Sequence, residues 1–253
     1  PTTMRQGCVV TKNASLRYMG STVALPNTPI KGLVLHNAGA SAGELRNCYP
    51  GGTLTGYTSR ILMATFLPFR AVRPTPGLAP RVVCPPYDVV DRCEARALAA
   101  GNDYSYLRVV RSDIAVDDSV PSDADEVYEA AARTFWSWLN EGVLALDPTP
   151  TYTVYREHQA GRTQTGIVGL ASIDDYASGV IKRHEVTLVP KERDRVRHFE
   201  TVGAHTEPIW LAHRPDPTIA EVVARYTATT PLVDVTDAQG VRHEVWPIAD
   251  SAD

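Results

Sequence analysis

Lysine is scarce in most of this sequence. Between Met63 and Asp253 there are only two lysines, Lys182 and Lys191, against seventeen arginines. Because arginine is the usual cation here, the two lysines indicate positions that require a compact ammonium rather than a wide planar guanidinium. The alternative interpretation is a solvated helix face whose charged side chains pair with one another.

Cysteines and long apolar runs are also few. The four cysteines form no C-x-x-C pair and no Cys/His metal spacing, so we expect reduced thiols in a cytoplasmic protein. No apolar run approaches the roughly 20 residues that cross a bilayer, and no membrane partner is expected. The net charge of −4 argues against general nucleic-acid binding.

Several common catalytic motifs are missing. Neither G-x-G-x-x-G nor G-x-x-x-x-G-K-[ST] occurs, and no H-E-x-x-H motif is present. These absences argue against a Rossmann dinucleotide site, a P-loop and a zinc protease. One G-x-S-x-G match, at residues 39–43, lies in a stretch rich in glycine and alanine. The following segment soon meets Pro50, which favours a chance match over a nucleophile elbow.

The order of elements predicts an α+β fold of mixed sheets and packed helices, because strands and helices are mixed along the chain in no regular βαβ order. Residues 1–62 are predicted to be a poorly structured extension, residues 63–178 an N-terminal α+β domain, and residues 179–253 the beginning of another domain. The pattern predicts strands at Val82–Cys84, Tyr104–Arg111 and Pro208–His213, a hairpin of Thr151–Arg156 with Thr165–Ser172, and helices at Asp91–Ala100, Lys191–Val202 and Thr218–Thr227.

Two short segments offer polar groups in turns. The double proline before Tyr87 and Asp88 fixes two φ angles, so the phenol and the carboxylate would be held in one geometry. The alternative is that Asp88 merely caps a helix or turn. In residues 161–166, Arg162, Gln164 and backbone amides could bind an oxyanion, or the segment could be an ordinary turn with Arg162 in solvent.

The densest chemistry lies between Lys182 and His198. Glu185 could act as a general base whose pKa is tuned by His184 and by nearby cations. Lys191 and Arg195 are four residues apart, so they would share one helix face near an N-terminus, where anions are favoured. Together with Lys182, these residues predict a site for an anionic phosphate substrate.

These motifs together resemble the bacterial and archaeal family known as domain of unknown function 1015. The resemblance covers residues 64–250 and is carried by Phe69-Arg70-Ala71, Arg73-Pro74, Pro85-Pro86-Tyr87-Asp88-Val89, Gly161-Arg162-Thr163-Gln164-Thr165-Gly166, Ile181-Lys182-Arg183-His184-Glu185-x-Thr187 and Lys191-Glu192-x-Asp194-Arg195. The family is similar to proteins with a ParB/sulfiredoxin-like fold, so residues 179–253 are expected to begin such a domain.

The resemblance implies an ATP-dependent kinase that converts free L-serine to O-phospho-L-serine with Mg²⁺. Glu185 would then be the base and His184 its neighbour, and Lys191 and Arg195 would face phosphate or the serine carboxylate. The family continues to an Asp-Gly-His-His-Arg element, and this sequence contains no His-His pair. We therefore expect a fragment that is inactive alone. The alternatives are a non-catalytic protein that binds a nucleotide or phosphorylated ligand, and a ParB-like regulator.

Overall fold

The computed structural model describes residues 64–183 and 188–248, and the backbone of residues 8–9 and 30–37. These parts contain both helices and a large, mostly antiparallel sheet, which confirms the predicted α+β class. Within them, no helix is both long enough and apolar enough to span a bilayer.

The strands of the described residues form one large sheet and one small one. They are β1 Cys8–Val9, β2 Ile30–Asn37, β3 Phe66–Leu67, β4 Val72–Pro74, β5 Leu144–Leu146, β6 Thr153–Gln159, β7 Arg162–Ser172, β8 Ile181–Lys182, β9 Ile209–His213, β10 Val233–Thr236 and β11 Arg242–Pro247. The large sheet has the order β10-β11-β6-β7-β2-β9-β1-β8, with β3 also paired to β7, and β4 pairs with β5. The pairs β2–β9 and β1–β8 are parallel and the others antiparallel.

The helices of the described residues pack partly on the sheets and partly on one another. They are α1 Ala79–Val82, α2 Arg92–Leu98, α3 Leu107–Val110, α4 Asp125–Glu141, α5 Ile173–Ala177, α6 Val189–Val202 and α7 Pro217–Thr227. The longest, α4, packs against α3 and α6. Its buried Phe135 and Trp138 join Tyr106 and Leu107 of the α3 region in one apolar cluster, so these helices share a core.

A second core lies on one face of the sheet. There Tyr155 of β6 and Val168 of β7 pack with Val245 of β11 and with Phe69 and Ala79 from the segment before α2. Burying a valine or phenylalanine side chain contributes roughly 1.5–3 kcal/mol. This core therefore joins residues that lie far apart in the sequence.

The hairpin predicted in the middle of the chain is present, with longer strands and a tighter turn. β6 pairs with β7 from Thr153 to Gln159, and Gln159 lies opposite Arg162. Only Ala160 and Gly161 connect them, with φ angles of 48° and 77°. Two consecutive residues with positive φ are typical of the type I′ turn, whose twist matches that of the strands.

Two predicted strands are wrong. Val82 is the last residue of the short helix α1, which Pro80 favours because it lies in the first turn and pre-organises the helical φ angle. Tyr104–Arg111 is predicted as a strand, yet Leu107–Val110 is helical. The helical turn places Tyr106, Leu107 and Val110 in the core, so tertiary packing outweighs propensity.

The sheet contains strands from every predicted part of the chain. Most of residues 1–62 lies outside the described residues, but Ile30–Asn37 forms β2 between β7 and β9. β11, which follows the boundary predicted at 178–179, pairs with β6, which precedes it. Backbone hydrogen bonds therefore cross both predicted boundaries.

Candidate functional site

A rigid turn presents Tyr87 near helix α6. Pro85 and Pro86 are buried, and residues Tyr87–Val89 form a single 3₁₀ turn after them. Tyr87 is half-buried and Asp88 is exposed. The helix that follows is capped by Asp91, whose carboxylate accepts a hydrogen bond from the Glu94 amide. The capping role considered for Asp88 at α2 thus belongs to Asp91.

Helix α6 begins two residues before the predicted Lys191. Pro190 lies in its first turn, and the N-cap residue, Leu188, makes no side-chain hydrogen bond to the free amides. Its inner face contains the half-buried Arg195 and the buried His198 and Val202. Val196, although apolar, lies on the outer side and is 45% exposed. The spacing 195, 198 and 202 follows one helix face and places a cation on the buried side.

Arg195 is the centre of a polar cluster. Its Nη2 lies 2.7 Å from Asp194 Oδ2, and its Nη1 donates a 3.0 Å hydrogen bond to Glu207 Oε1. The guanidinium carbon lies 4.2 Å from the centroid of the Tyr87 ring, a cation–π contact. The predicted residues Tyr87 and Arg195 are therefore in contact. The Arg195 charge is already shared by two carboxylates, which opposes a direct role in phosphate binding.

The pKa values of this cluster reflect its burial. Burial raises the pKa of Glu207 to about 7, although the attraction of Arg195 opposes this. Burial lowers the pKa of Arg195, but the Glu207 and Asp194 charges outweigh it and the net change is upward. Burial and then the Glu207 charge raise the pKa of Tyr87 to about 12. Arg195 therefore stays protonated while Glu207 can titrate near neutral pH.

Two side chains extend the cluster towards α4. The Tyr128 hydroxyl of α4 donates a 2.7 Å hydrogen bond to Asp194 Oδ1. His198 packs edge-on against Tyr128, and burial lowers the pKa of His198 to about 3. A neutral histidine and a hydrogen-bonded carboxylate thus fill the interface between α4 and α6.

The predicted catalytic pair lies outside the described residues. His184 and Glu185 belong to the segment between β8, which ends at Lys182, and α6, which begins at Val189. Lys182 and Lys191, close to the two ends of this segment, are both exposed. Within residues 64–183 and 188–248, neither lysine has an ion-pair partner.

The loop predicted to bind an oxyanion is instead a strand. Arg162 and Gln164 belong to β7, where they lie opposite Gln159 and Glu157, and both are exposed. Because their backbone amides belong to a strand, residues 161–166 do not form the predicted loop of free amides. The two-residue turn Ala160-Gly161 connects the two strands, so the hairpin lacks the longer tip that the sequence pattern indicates.

Sequence reasoning missed Glu207 and Tyr128. Glu207 lies in the connection between α6 and β9, and Tyr128 lies one turn into α4. No local spacing links either residue to Arg195, which is 12 residues from Glu207 and 67 from Tyr128. Asp194, which belongs to the family motif around Lys191, contacts Arg195. Among the described residues, no group of three His, Cys, Asp or Glu side chains could hold a metal ion.

The fold and the cluster define an α+β protein in which a half-buried arginine of α6 contacts the tyrosine of a rigid turn. Residues 66–253 match the family model described as "Protein of unknown function (DUF1015)". The chain therefore belongs to the DUF1015 family. No curated protein and no solved structure matches it.

Proposed function

We propose that the full-length protein is an ATP-dependent kinase that phosphorylates the hydroxyl group of free L-serine. The observation that carries this proposal is the position of residues 183–188 between the end of β8 and the start of α6. This segment contains His184 and Glu185. Lys182 immediately precedes it, and Lys191 follows it in the first turn of α6. The resemblance described above supplies the reaction and its substrates.

The N-terminus of α6 supports a role in binding phosphate. The helix has 14 residues, and its N-cap residue, Leu188, makes no capping hydrogen bond through its side chain. Free amides and the positive end of a helix dipole favour an anion at this position. Lys191, in the first turn, would add a mobile positive charge, whereas Arg195 is held by its two carboxylates.

Phosphoryl transfer mainly requires positioning and neutralisation of charge. In the proposed reaction Glu185 accepts the proton of the serine hydroxyl, the hydroxyl oxygen forms a bond to the γ-phosphorus, and ADP leaves. Mg²⁺, when bound, would neutralise phosphate charge. It would be held largely by ATP oxygens, as is usual for this ion.

Coupled measurement of ADP release by the full-length protein with ATP and L-serine tests this function. We expect Glu185→Gln to lower kcat by about 10²- to 10⁴-fold, because the base is lost. Lys191→Arg should also lower activity if a compact ammonium is needed. The matched control is Glu200→Gln, at an exposed position of helix α6, which also contains Lys191. This variant should retain activity. Unchanged turnover in Glu185→Gln would exclude Glu185 as the base.

Binding measurements on the same protein distinguish the proposed kinase from the alternative functions. Thermal stabilisation by ATP without formation of O-phospho-L-serine would favour a non-catalytic protein that binds nucleotides or phosphorylated ligands. Salt-dependent binding to DNA in place of turnover would favour a ParB-like regulator. The fold alone does not decide among these functions.

A further inference from the structure

The corner between α5 and β8 exposes an aromatic ring and two cations. Tyr176 of α5 is 40% exposed, and Lys182 and Arg183, at the end of β8 and directly after it, are exposed as well. The Arg183 guanidinium carbon lies 5.0 Å from the centroid of the Tyr176 ring. This is a cation–π contact, so the ring and the guanidinium form one stacked pair.

Hydrogen bonds and burial hold this corner in place. The Asp175 carboxylate of α5 accepts a 2.6 Å hydrogen bond from the Thr65 amide. Gly179 turns the chain towards β8 with a φ of 77°, and an added Cβ at this glycine would lie 3.6 Å from Lys182 Nζ. Ile181 is buried, and because successive residues of a strand point to opposite faces, Lys182 is directed towards solvent.

The positive charges at this corner are not neutralised by a carboxylate. In the described part of the chain, neither Lys182 nor Arg183 has an ion-pair or hydrogen-bond partner. The acidic residues of α5 are Asp174 and Asp175. Asp175 is bonded to a backbone amide, and Asp174 lies two residues before Tyr176, a spacing that does not share a helix face. The two cations are therefore available to an anionic ligand.

A ligand that fits this corner carries both a flat ring and negative charge. A guanidinium that stacks on an aromatic ring has a second planar face, and nucleotide bases stack on such faces. We propose that Arg183, backed by Tyr176, stacks on the base of the nucleotide, and that Lys182 adds positive charge for its phosphates. Arg183 and Tyr176 are called the stacking platform below. The proposal rests on the proposed function, in which this nucleotide is the phosphoryl donor.

The position of the platform in the chain agrees with that reaction. Arg183 directly precedes His184, and Lys191 follows the same segment in the first turn of α6. The base and the phosphates of one nucleotide are thereby given separate contacts on the two sides of this segment. A single-stranded nucleic acid would also stack, but it requires a groove lined with many cations. Two cations and a net charge of −4 favour the free nucleotide.

Binding of ATP and of inorganic tripolyphosphate to the full-length protein, measured by calorimetry, tests the platform. Tripolyphosphate keeps the phosphate chain and lacks the base. We expect Arg183→Lys, which keeps the charge and removes the planar face, to weaken ATP binding about tenfold and to leave tripolyphosphate binding unchanged. Lys182→Gln should weaken the binding of both ligands, because it removes a charge and no base contact.

A second arginine provides the matched control. The exposed Arg81 stacks on Tyr104, with its guanidinium carbon 4.4 Å from the ring centroid. Arg81→Lys makes the same chemical change away from the platform and should leave both affinities as they are. Tyr176→Ala should weaken ATP binding more than tripolyphosphate binding, because the guanidinium loses its support. Tyr176→Phe keeps the ring and should bind ATP as the unmodified protein does.

Three results would overturn the proposal. They are unchanged ATP affinity in Arg183→Lys, an equal loss of affinity for ATP and tripolyphosphate, and tighter binding of a single-stranded oligodeoxyadenylate that ATP does not displace. Both ligands are measured on one preparation, so partial unfolding would lower both apparent affinities alike. If ATP binding depends on Arg183 but no O-phospho-L-serine forms, the proposed function fails and the platform stands. If Arg183→Lys turns over with an unchanged KM for ATP, the platform fails and the kinase stands.

Discussion

At the scale of single residues, several ionisable groups are buried or half-buried at the interface between α4 and α6. Arg195 remains charged because two carboxylates contact it, whereas His198 has no charged partner at hydrogen-bond distance among the described residues. Its Nε2 is buried without a hydrogen-bond partner in that part of the chain. A protonated imidazole would be costly there, because burial of an unpaired charge is strongly unfavourable.

His198 should therefore make the protein sensitive to acid. Its pKa of about 3 in the folded state lies below the ordinary 6.5, so the unfolded chain binds a proton first as the pH falls. Stability is lost from about pH 6.5 downward, by up to about 1.4 kcal/mol per pH unit. When the pH is lowered from 7 to 4.5, the free energy of unfolding of both proteins should fall. The fall should be about 2 kcal/mol smaller for His198→Leu than for the unmodified protein. Urea denaturation at both pH values measures this, and equal losses would contradict it.

At the scale of elements, close contacts and tight turns restrict which residues fit the large sheet. Gly169 in β7 lies under the ring of Phe66 from β3, which stacks on Tyr152. The Tyr152 hydroxyl in turn donates to the Phe66 carbonyl oxygen. The pairing of β3 with β7 therefore depends on the missing side chain at residue 169.

Gly169→Ala should destabilise the protein by about 1–3 kcal/mol, because overpacking forces neighbours to shift. The added Cβ would lie 2.7 Å from Phe66 Cε1 and 3.0 Å from the Leu67 carbonyl oxygen. Gly77→Ala is the control, since nothing lies within 4 Å of its added Cβ. Chemical denaturation of both variants gives the comparison. Equal stabilities would show that β3 moves aside without cost.

At the type I′ turn between β6 and β7, replacing alanine by glycine is expected to stabilise the protein. Ala160 has a φ of 48°, a conformation that is strained for alanine. Ala160→Gly should therefore raise the free energy of unfolding, by about 0.5–1 kcal/mol. Ala228→Gly is the matched control, because Ala228 has a φ of −82° and the same substitution there should destabilise. Loss of stability at both positions would contradict the turn type.

At the scale of the whole molecule, one sheet joins parts that the sequence pattern separates. Val245 of β11 packs with Tyr155 and Val168 of the hairpin, and with Phe69 near the beginning of the family match. The core formed by these residues draws on both sides of residue 178. Unfolding of β6 and β11 should therefore be coupled.

Val245→Ala should lower the free energy of unfolding by about 2 kcal/mol, because it leaves a cavity in this shared core. Hydrogen exchange should show an equal loss of protection in β6 and in β11. Val196→Ala, at a position that is 45% exposed, should change stability by less than about 0.5 kcal/mol. A loss confined to β11 would indicate that the two strands open independently.

The sequence was sufficient for features that depend on local pattern. It predicted the α+β class, the β6–β7 hairpin, α2, α6, β9 and α7, and the motifs that identify the family, because periodicity, prolines and glycines act over a few residues. It failed for Tyr104–Arg111 and Val82–Cys84, where burial or a proline in the first turn favours a helix. It also missed Glu207 as the partner of Arg195.

The sequence by itself determined which charged and aromatic side chains are available, and which short segments are rigid. Only the tertiary structure decided that Arg195 faces two carboxylates and the Tyr87 ring instead of sharing an exposed face with Lys191. The physical reason is that the environment of a charge depends on neighbours brought together by folding. Burial and distance, which set the Glu207 pKa near 7, have no counterpart in residue order.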